Sequence, residues 1–177
     1  MFKNFIEKRL SKNEYFLNIA KQVGQRSTCF RNKLGAIIVK DDMILATGYI
    51  GAPRKTKDCL ERNECLRNKL NIPHGQRYEL CRSVHGEQNV IINAARSGVS
   101  ILNGDMFIYT ETSQGKKINS LPCFICKKMI INSGLNRVIC STQDGGYKVF
   151  NVQDWVLDWQ EKDVLDDKEQ YGVDQNT

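Results

Sequence analysis

A chain of 177 residues has the length of one domain with one sizeable core. Hydrophobic residues at 41% and charged residues at 26%, with 13 Gly and 3 Pro, exclude collagen-like and low-complexity classes. The net charge of +6 is unevenly spread, because eight acidic residues follow Gln153 against only Lys162 and Lys168, so a basic body precedes an acidic tail. A basic body suits nucleic acid or a small phosphorylated substrate. The charges do not form one run with interleaved aromatics, which disfavours nucleic acid. No apolar run approaches the roughly 18 to 20 residues of a membrane span. Lys3, Glu7, Lys8 and Arg9 also break the N-terminal stretch where a secretory signal needs apolar continuity. A soluble, cytoplasmic chain without a membrane partner is expected.

Asn13 to Thr28 reads as a helix, since Tyr15, Phe16, Ile19, Ala20 and Val23 recur at helical spacing behind the cap candidates Ser11 and Asn13. Leu34 to Lys40 and Met43 to Ile50 are rich in aliphatic and β-branched residues, and Asp41-Asp42 between them predicts a hairpin. Gly51 to Val84 has no clean period. It carries Pro53, Pro73, Gly75, three cysteines and many charges, so it reads as a long connection that something must hold in place. His85 to Ser97 is the next helix, with Val90, Ile91, Ala94 and Ala95 on its apolar face and Gly98 as its stop. Asp105 to Thr110 reads as a strand and Glu111 to Ser120 as a polar link. Pro122 is expected in the first turn of a helix that runs through Met129, Ile130 and Ile131 to Gly134. Arg137 to Ser141 is a further strand. Asn151 caps an amphipathic helix with Val152, Trp155, Val156 and Trp159 on one side, before a polar tail from about Asp163 that is expected to be disordered. This order predicts a three-layer α/β sandwich, divided into a domain over residues 1–150 and a C-terminal helix and acidic tail over 151–177.

Seven cysteines, an odd number without a secretory segment, favour metal ligation or burial over disulfides. His85-Gly86-Glu87 opens one predicted helix and Pro122-Cys123-Phe124-Ile125-Cys126 opens another. An H-x-E followed by P-C-x-x-C is the zinc deaminase signature. Cys123 and Cys126 share a helical face, at a helix start whose positive end favours thiolates. With His85 they make three protein ligands, which leaves an open position of the kind that marks a catalytic zinc site. Glu87 is near enough to shuttle protons for an attacking water without being a ligand. Either half alone would be weak, since H-x-E is often only a helix start and C-x-x-C can be a redox pair. Together they are specific.

Leu34 to Val39, the run Thr47-Gly48-Tyr49-Ile50-Gly51-Ala52-Pro53, the stretch Cys81 to Asn89 and Pro122-Cys123-x-x-Cys126 together resemble the deoxycytidylate (dCMP) deaminase family, including the bacterial late-competence deaminase group. The resemblance covers roughly residues 11 to 150. It implies the cytidine-deaminase-like α/β/α fold with a central mixed sheet of about five strands. It also implies hydrolysis of dCMP to dUMP and ammonia, a homo-oligomer (hexamer or dimer), and regulation by dCTP and dTTP. It assigns His85, Cys123 and Cys126 to catalytic zinc, Glu87 to proton transfer, and Asn89 to a nucleotide contact. Arg31, Lys33 and Arg82 are the candidates for phosphate.

Three departures stand out. Ile50 replaces an Asn of the family pattern, so substrate or effector contacts are altered at that position. Gly86 replaces Ala, a small-for-small change expected to leave the chemistry alone, and Lys127 replaces an Ala after the second ligand cysteine. Glu111 to Leu121 is longer than the usual link, and borders the expected site. Of the remaining cysteines, Cys29, Cys59, Cys65 and Cys81 suggest a structural zinc that would hold the long connection, with His74 as an alternative ligand and free thiols as the plain reading. Cys140 reads as a core residue. Rival functions are deamination of another cytosine nucleoside or nucleotide, or of a base in nucleic acid, and a zinc-stabilised DNA-binding module without catalysis.

Overall fold

The computed structural model describes residues 9–73 and 76–162. The N-terminal run before Arg9, His74 and the tail from Asp163 lie outside the described residues. Five strands form one mixed sheet in the order β2-β1-β3-β4-β5, with β1 at Asn32–Lys40, β2 at Met43–Tyr49, β3 at Asp105–Thr112, β4 at Arg137–Ser141 and β5 at Tyr147–Asn151. β1 runs antiparallel to β2 and β3, β3 and β4 are parallel, and β5 returns antiparallel to β4. The β1–β2 hairpin turns on Asp41 and Asp42, both left-handed at φ 51° and 62°, as a two-residue turn between twisted strands requires.

Alternation along the strands divides the core into two layers. Ile37 and Val39 of β1, with Phe107, Tyr109 and Ile139, face α1 (Lys12–Gly24), which contributes Phe16, Leu17 and Ala20. Ala36 and Ile38, with Met106, Ile108 and Val138, face the other way. There they meet Val90 and Ala94 of α3 (Gly86–Arg96), Ile130 of α4 (Phe124–Asn132), and Val152 and Trp155 of α5 (Val152–Glu161). The result is the expected α/β/α sandwich.

Two of the helix–sheet contacts are backbone on backbone. A β-carbon built on Gly35 would stand 2.0 Å from the Ala20 carbonyl oxygen and 2.4 Å from the Gly24 nitrogen, so α1 rests directly on β1. On the opposite face a β-carbon on Gly48 would stand 2.3 Å from the Val90 nitrogen and 2.6 Å from the Gly86 oxygen. That contact seats the first turn of α3 on β2, and with it His85 and Glu87.

Several elements differ from the sequence-based expectation. α1 is capped by Ser11, whose hydroxyl accepts from the Glu14 N–H while the Glu14 carboxylate accepts from the Ser11 N–H, and it stops at Gly24. Its buried face takes Leu17 rather than Tyr15, which is 52% exposed. Pro122 precedes α4 instead of sitting in it, because Cys123 is the N-cap. β5 has no counterpart in the predicted elements. It is an edge strand with Tyr147 and Val149 exposed, so the apolar alternation that would reveal it is missing.

Among its described residues the long connection contains a short helix, α2 (Leu66–Lys69), and a 3₁₀ turn at Tyr78–Leu80. Its ends are joined by paired backbone hydrogen bonds between Gly51 and Val84, at 3.2 and 2.8 Å. The whole excursion therefore returns to its starting point beside His85. Among the described residues no helix is long and apolar enough to cross a membrane.

Candidate active site

His85 is the N-cap of α3 and Cys123 the N-cap of α4, two helices that pack side by side. A cap residue has extended backbone and projects its side chain past the helix end, so the two helix starts present their ligands to one point. His85 Nδ1 lies 3.5 Å from Cys123 Sγ and 3.4 Å from Cys126 Sγ. The three donor atoms fall within 4.8 Å of one another. Metal–sulfur bonds of about 2.3 Å and metal–nitrogen bonds of about 2.0–2.1 Å at a tetrahedral angle put sulfur and nitrogen about 3.5–3.6 Å apart. The observed separations match, so this donor set fits zinc. The Cys123 thiol is lowered to about 4 by a hydrogen bond from Cys126 and by neighbouring His85, which makes a thiolate ligand available.

Glu87, in the first turn of α3, is 2% exposed, and its Oε2 has no hydrogen-bond partner. Burial raises its carboxyl above the ordinary carboxylate value, opposed by His85. A buried carboxylate oxygen without a partner is costly, and this one borders the cavity that also exposes His85 and Cys123. A buried carboxylate thus stands at the cavity wall next to the three-donor group of His85, Cys123 and Cys126.

Residues 10–142 match the family described as the cytidine and deoxycytidylate deaminase zinc-binding region. The chain belongs to this family. It is 33% identical over 132 residues to the deoxycytidylate deaminase of Mycobacterium phage D29, spanning 72% of this chain and 91% of the phage protein. It is 28% identical over 134 residues to the deoxycytidylate deaminase of Schizosaccharomyces pombe, spanning 76% of this chain but 38% of the yeast protein. Its fold superposes with a TM-score of 0.52 on the dCMP deaminase of cyanophage S-TIM5 in complex with dCMP and dUMP, at 26% identity over 73% of this chain and 82% of that one.

Within this deaminase frame, the four remaining candidate ligands, Cys29, Cys59, Cys65 and Cys81, all border the same cavity. Burial, followed by the neighbouring sulfurs of Cys29, Cys65 and Cys81, raises the Cys59 thiol. Cys29 Sγ accepts the Arg31 N–H at 3.4 Å. These four sulfurs are neighbours without being gathered as tightly as the His85, Cys123 and Cys126 donors, which are the one such group among the described residues. Cys140 is buried in the core, as expected.

Ile50 is 9% exposed and lines the cavity, with its backbone N–H and carbonyl both engaged by Leu34 and Thr28. Asn89 is not among the residues that line the cavity. Its amide nitrogen donates to the carbonyls of Tyr49 at 2.8 Å and Val84 at 3.4 Å, bracing the Gly51–Val84 junction. Among the phosphate candidates, Lys33 donates to Gln25, and Arg82 is held by Glu64 at 2.7 Å, while Arg31 faces the cavity. The long link after β3 folds back on itself, and Ile118 to Leu121 form one wall of the site. Lys127 is buried with its ammonium 4.9 Å from the Trp155 ring centroid, an interaction that accommodates the charge.

Sequence reasoning missed two cavity residues, Arg67 and Tyr78. The Tyr78 ring stands edge-on to His85 with centroids 5.0 Å apart, and the Arg67 guanidinium lies 4.7 Å over Tyr78. Both belong to the aperiodic connection, where nothing but the cysteines signalled a site.

Proposed function

We propose that this chain hydrolytically deaminates a cytosine mononucleotide, with dCMP as substrate and dUMP and ammonia as products. The observation that carries the reading is Glu87, buried and with one oxygen unpartnered, beside the His85, Cys123 and Cys126 donors. The phage D29 relative and the cyanophage dCMP and dUMP complex support the choice of nucleotide.

Zinc held by His85, Cys123 and Cys126 would supply Lewis acidity, lowering the pKa of a water at the open position. Glu87 takes a proton from the attacking water and delivers it to ring nitrogen 3 as oxygen bonds to carbon 4. It then carries the remaining hydroxyl proton to the exocyclic amine, the carbon–nitrogen bond breaks, and ammonia leaves. A carboxyl raised by burial suits a group that must both accept and return a proton. Tyr78 fixes the His85 ring from its edge, and Ile50 and Leu34 supply apolar wall.

The proposal includes a second, structural zinc on Cys29, Cys59, Cys65 and Cys81, supported by their shared cavity wall and by the donor on Cys29. It also includes a cytoplasmic homo-oligomer that responds to dCTP and dTTP, as the family resemblance implies. The test is ammonia release across dCMP, CMP, deoxycytidine, dCTP and a cytosine-containing oligonucleotide, with dCMP expected to lead. Glu87→Gln should lower the rate by about 100-fold or more with metal content unchanged. A variant retaining a tenth of the rate would remove Glu87 from the mechanism.

A further inference from the structure

A second cavity, of about 190 Å³, lies on the opposite face of the sheet from the metal site, between α1 and the turn that joins β4 to β5. That volume is well above the roughly 10–15 Å³ that one water needs, so a small molecule fits. Tyr109 of β3 is part of its wall. This residue is 9% exposed, and its hydroxyl is buried without a hydrogen-bond partner. A buried phenol without a partner is costly, and the core does not require one, since Phe107 fills the neighbouring place in the same layer. The ammonium of Lys21, from the last turn of α1, stands 5.5 Å from the Tyr109 ring centroid. Lys117 is the second cation of the wall. A β-carbon on Gly145 would stand 2.9 Å from its Nζ, so the ammonium rests against the bare backbone of the β4–β5 turn. Neither lysine forms an ion pair with a carboxylate among the described residues. Glu14, the carboxylate in the wall, accepts from the Ser11 N–H in the cap of α1. Asp144 in the adjoining turn accepts from the Thr142 hydroxyl and the Gly146 N–H. Two ammonium groups and a phenol donor around one cavity suit a guest with several anionic oxygens.

We propose that this cavity is a second ligand site, which takes a phosphate group on Lys21, Lys117 and the Tyr109 hydroxyl. It shares no lining residue with the metal-site cavity, and the deamination step uses none of its side chains. The two cavities nevertheless adjoin through one segment. Lys117 is followed directly by Ile118 to Leu121, which wall the metal site. Ser141 of the second cavity is tied to Ser120 of the first, with hydroxyls 2.6 Å apart and the Ser120 N–H donating to the Ser141 carbonyl at 3.0 Å. A phosphate held by Lys117 therefore stands one residue from the active-site wall.

The test is calorimetric titration of the full-length, metal-loaded protein with inorganic phosphate at low ionic strength, repeated with a small sugar phosphate. Saturable binding of phosphate is expected, and it should persist in Arg31→Met, a change confined to the metal-site cavity. Lys21→Met and Lys117→Met should each weaken it by about tenfold or more. Tyr109→Phe keeps the ring beneath Lys21 and removes only the hydroxyl, and should weaken it by about three- to tenfold. Lys57→Met, an exposed lysine outside the cavity, should leave it within about twofold and so controls for net charge. Tighter binding of the sugar phosphate than of the free ion would make a phosphorylated metabolite the guest, and the reverse would make it free phosphate. Absence of saturable binding, or its loss in Arg31→Met, would overturn the site, the latter by assigning the phosphate to the metal-site cavity. Equal weakening in Lys57→Met would overturn it by reducing the effect to net charge. Native affinity in Tyr109→Phe would overturn it as well, because the buried hydroxyl then plays no part. A protein inactive on every cytosine compound would refute the proposed function and leave this test as it stands.

Discussion

Restoring the family's alanine at position 86 should damage this enzyme, although the exchange adds a single methyl group. A β-carbon on Gly86 would stand 2.3 Å from Leu34 Cδ2, with the next atoms, the carbonyl oxygens of Gly48 and Leu34, at 3.5 Å. Ordinary contact begins at 3.4 Å, so the Leu34 methyl has to retreat by about 1 Å. The Leu34 backbone cannot accompany it, because its N–H donates to Ser27 Oγ and its carbonyl accepts from Ser27 Oγ and the Ile50 N–H. The adjustment falls to rotation of the Leu34 side chain, whose end methyl is the clashing atom and which lines the cavity with His85 and Glu87. An off-rotamer χ costs about 0.5–1.5 kcal/mol, and overpacking about 1–3 kcal/mol. The better helix propensity of alanine offsets up to about 1 kcal/mol of this, less at a first-turn position. Gly86→Ala should therefore shift the urea midpoint only modestly while lowering kcat/KM for dCMP severalfold. Leu34→Val removes the clashing methyl. In a double-mutant cycle the two changes should couple favourably by about 0.5–3 kcal/mol, as expected for residues in contact. A cycle additive within about 0.3 kcal/mol in both stability and kcat/KM would refute the steric reasoning.

The position of Ile50 in the cavity wall leads to a further expectation. An apolar side chain cannot satisfy a polar group of the nucleotide, a deficit of about 1–3 kcal/mol, so Ile50→Asn should raise kcat/KM for dCMP by roughly tenfold or more. Unchanged dCMP kinetics in that variant would show that the position touches no polar part of the substrate. For the cysteine group, metal analysis of native protein should give two zinc ions per chain, with Cys59→Ser losing one and Cys123→Ser the other. One ion per chain, with Cys59→Ser unchanged in metal content and melting temperature, would eliminate the structural zinc.

How much of this site could be read from sequence follows from how each part is held. His85, Glu87, Cys123 and Cys126 were legible because each pair is fixed by local helical geometry, and the sandwich followed from the order of strands and helices around them. Asn89 entered as a nucleotide contact only through the family resemblance. Its amide nitrogen donates to the carbonyls of Tyr49 and Val84, partners from outside its helix. Gly86 reads as neutral by size, and the neighbour against which the exchange is to be tested, Leu34, stands 52 residues earlier in the chain.

Arg67 and Tyr78 were illegible for a related reason. Their place over the site depends on the closure of the Gly51–Val84 excursion and on the packing of a segment with one turn of α2 and one 3₁₀ turn, neither of which has a periodic signal. The cysteines marked that segment as needing a clamp, and Cys59→Ser tests whether the proposed zinc is that clamp. Released from such a zinc, the excursion should also loosen Tyr78, whose ring stands edge-on to His85. The start of α3 has a second support in its backbone contact with β2 at Gly48, which does not involve the excursion. His85 is thus braced from two sides, by the seat of α3 on β2 and by the closed excursion.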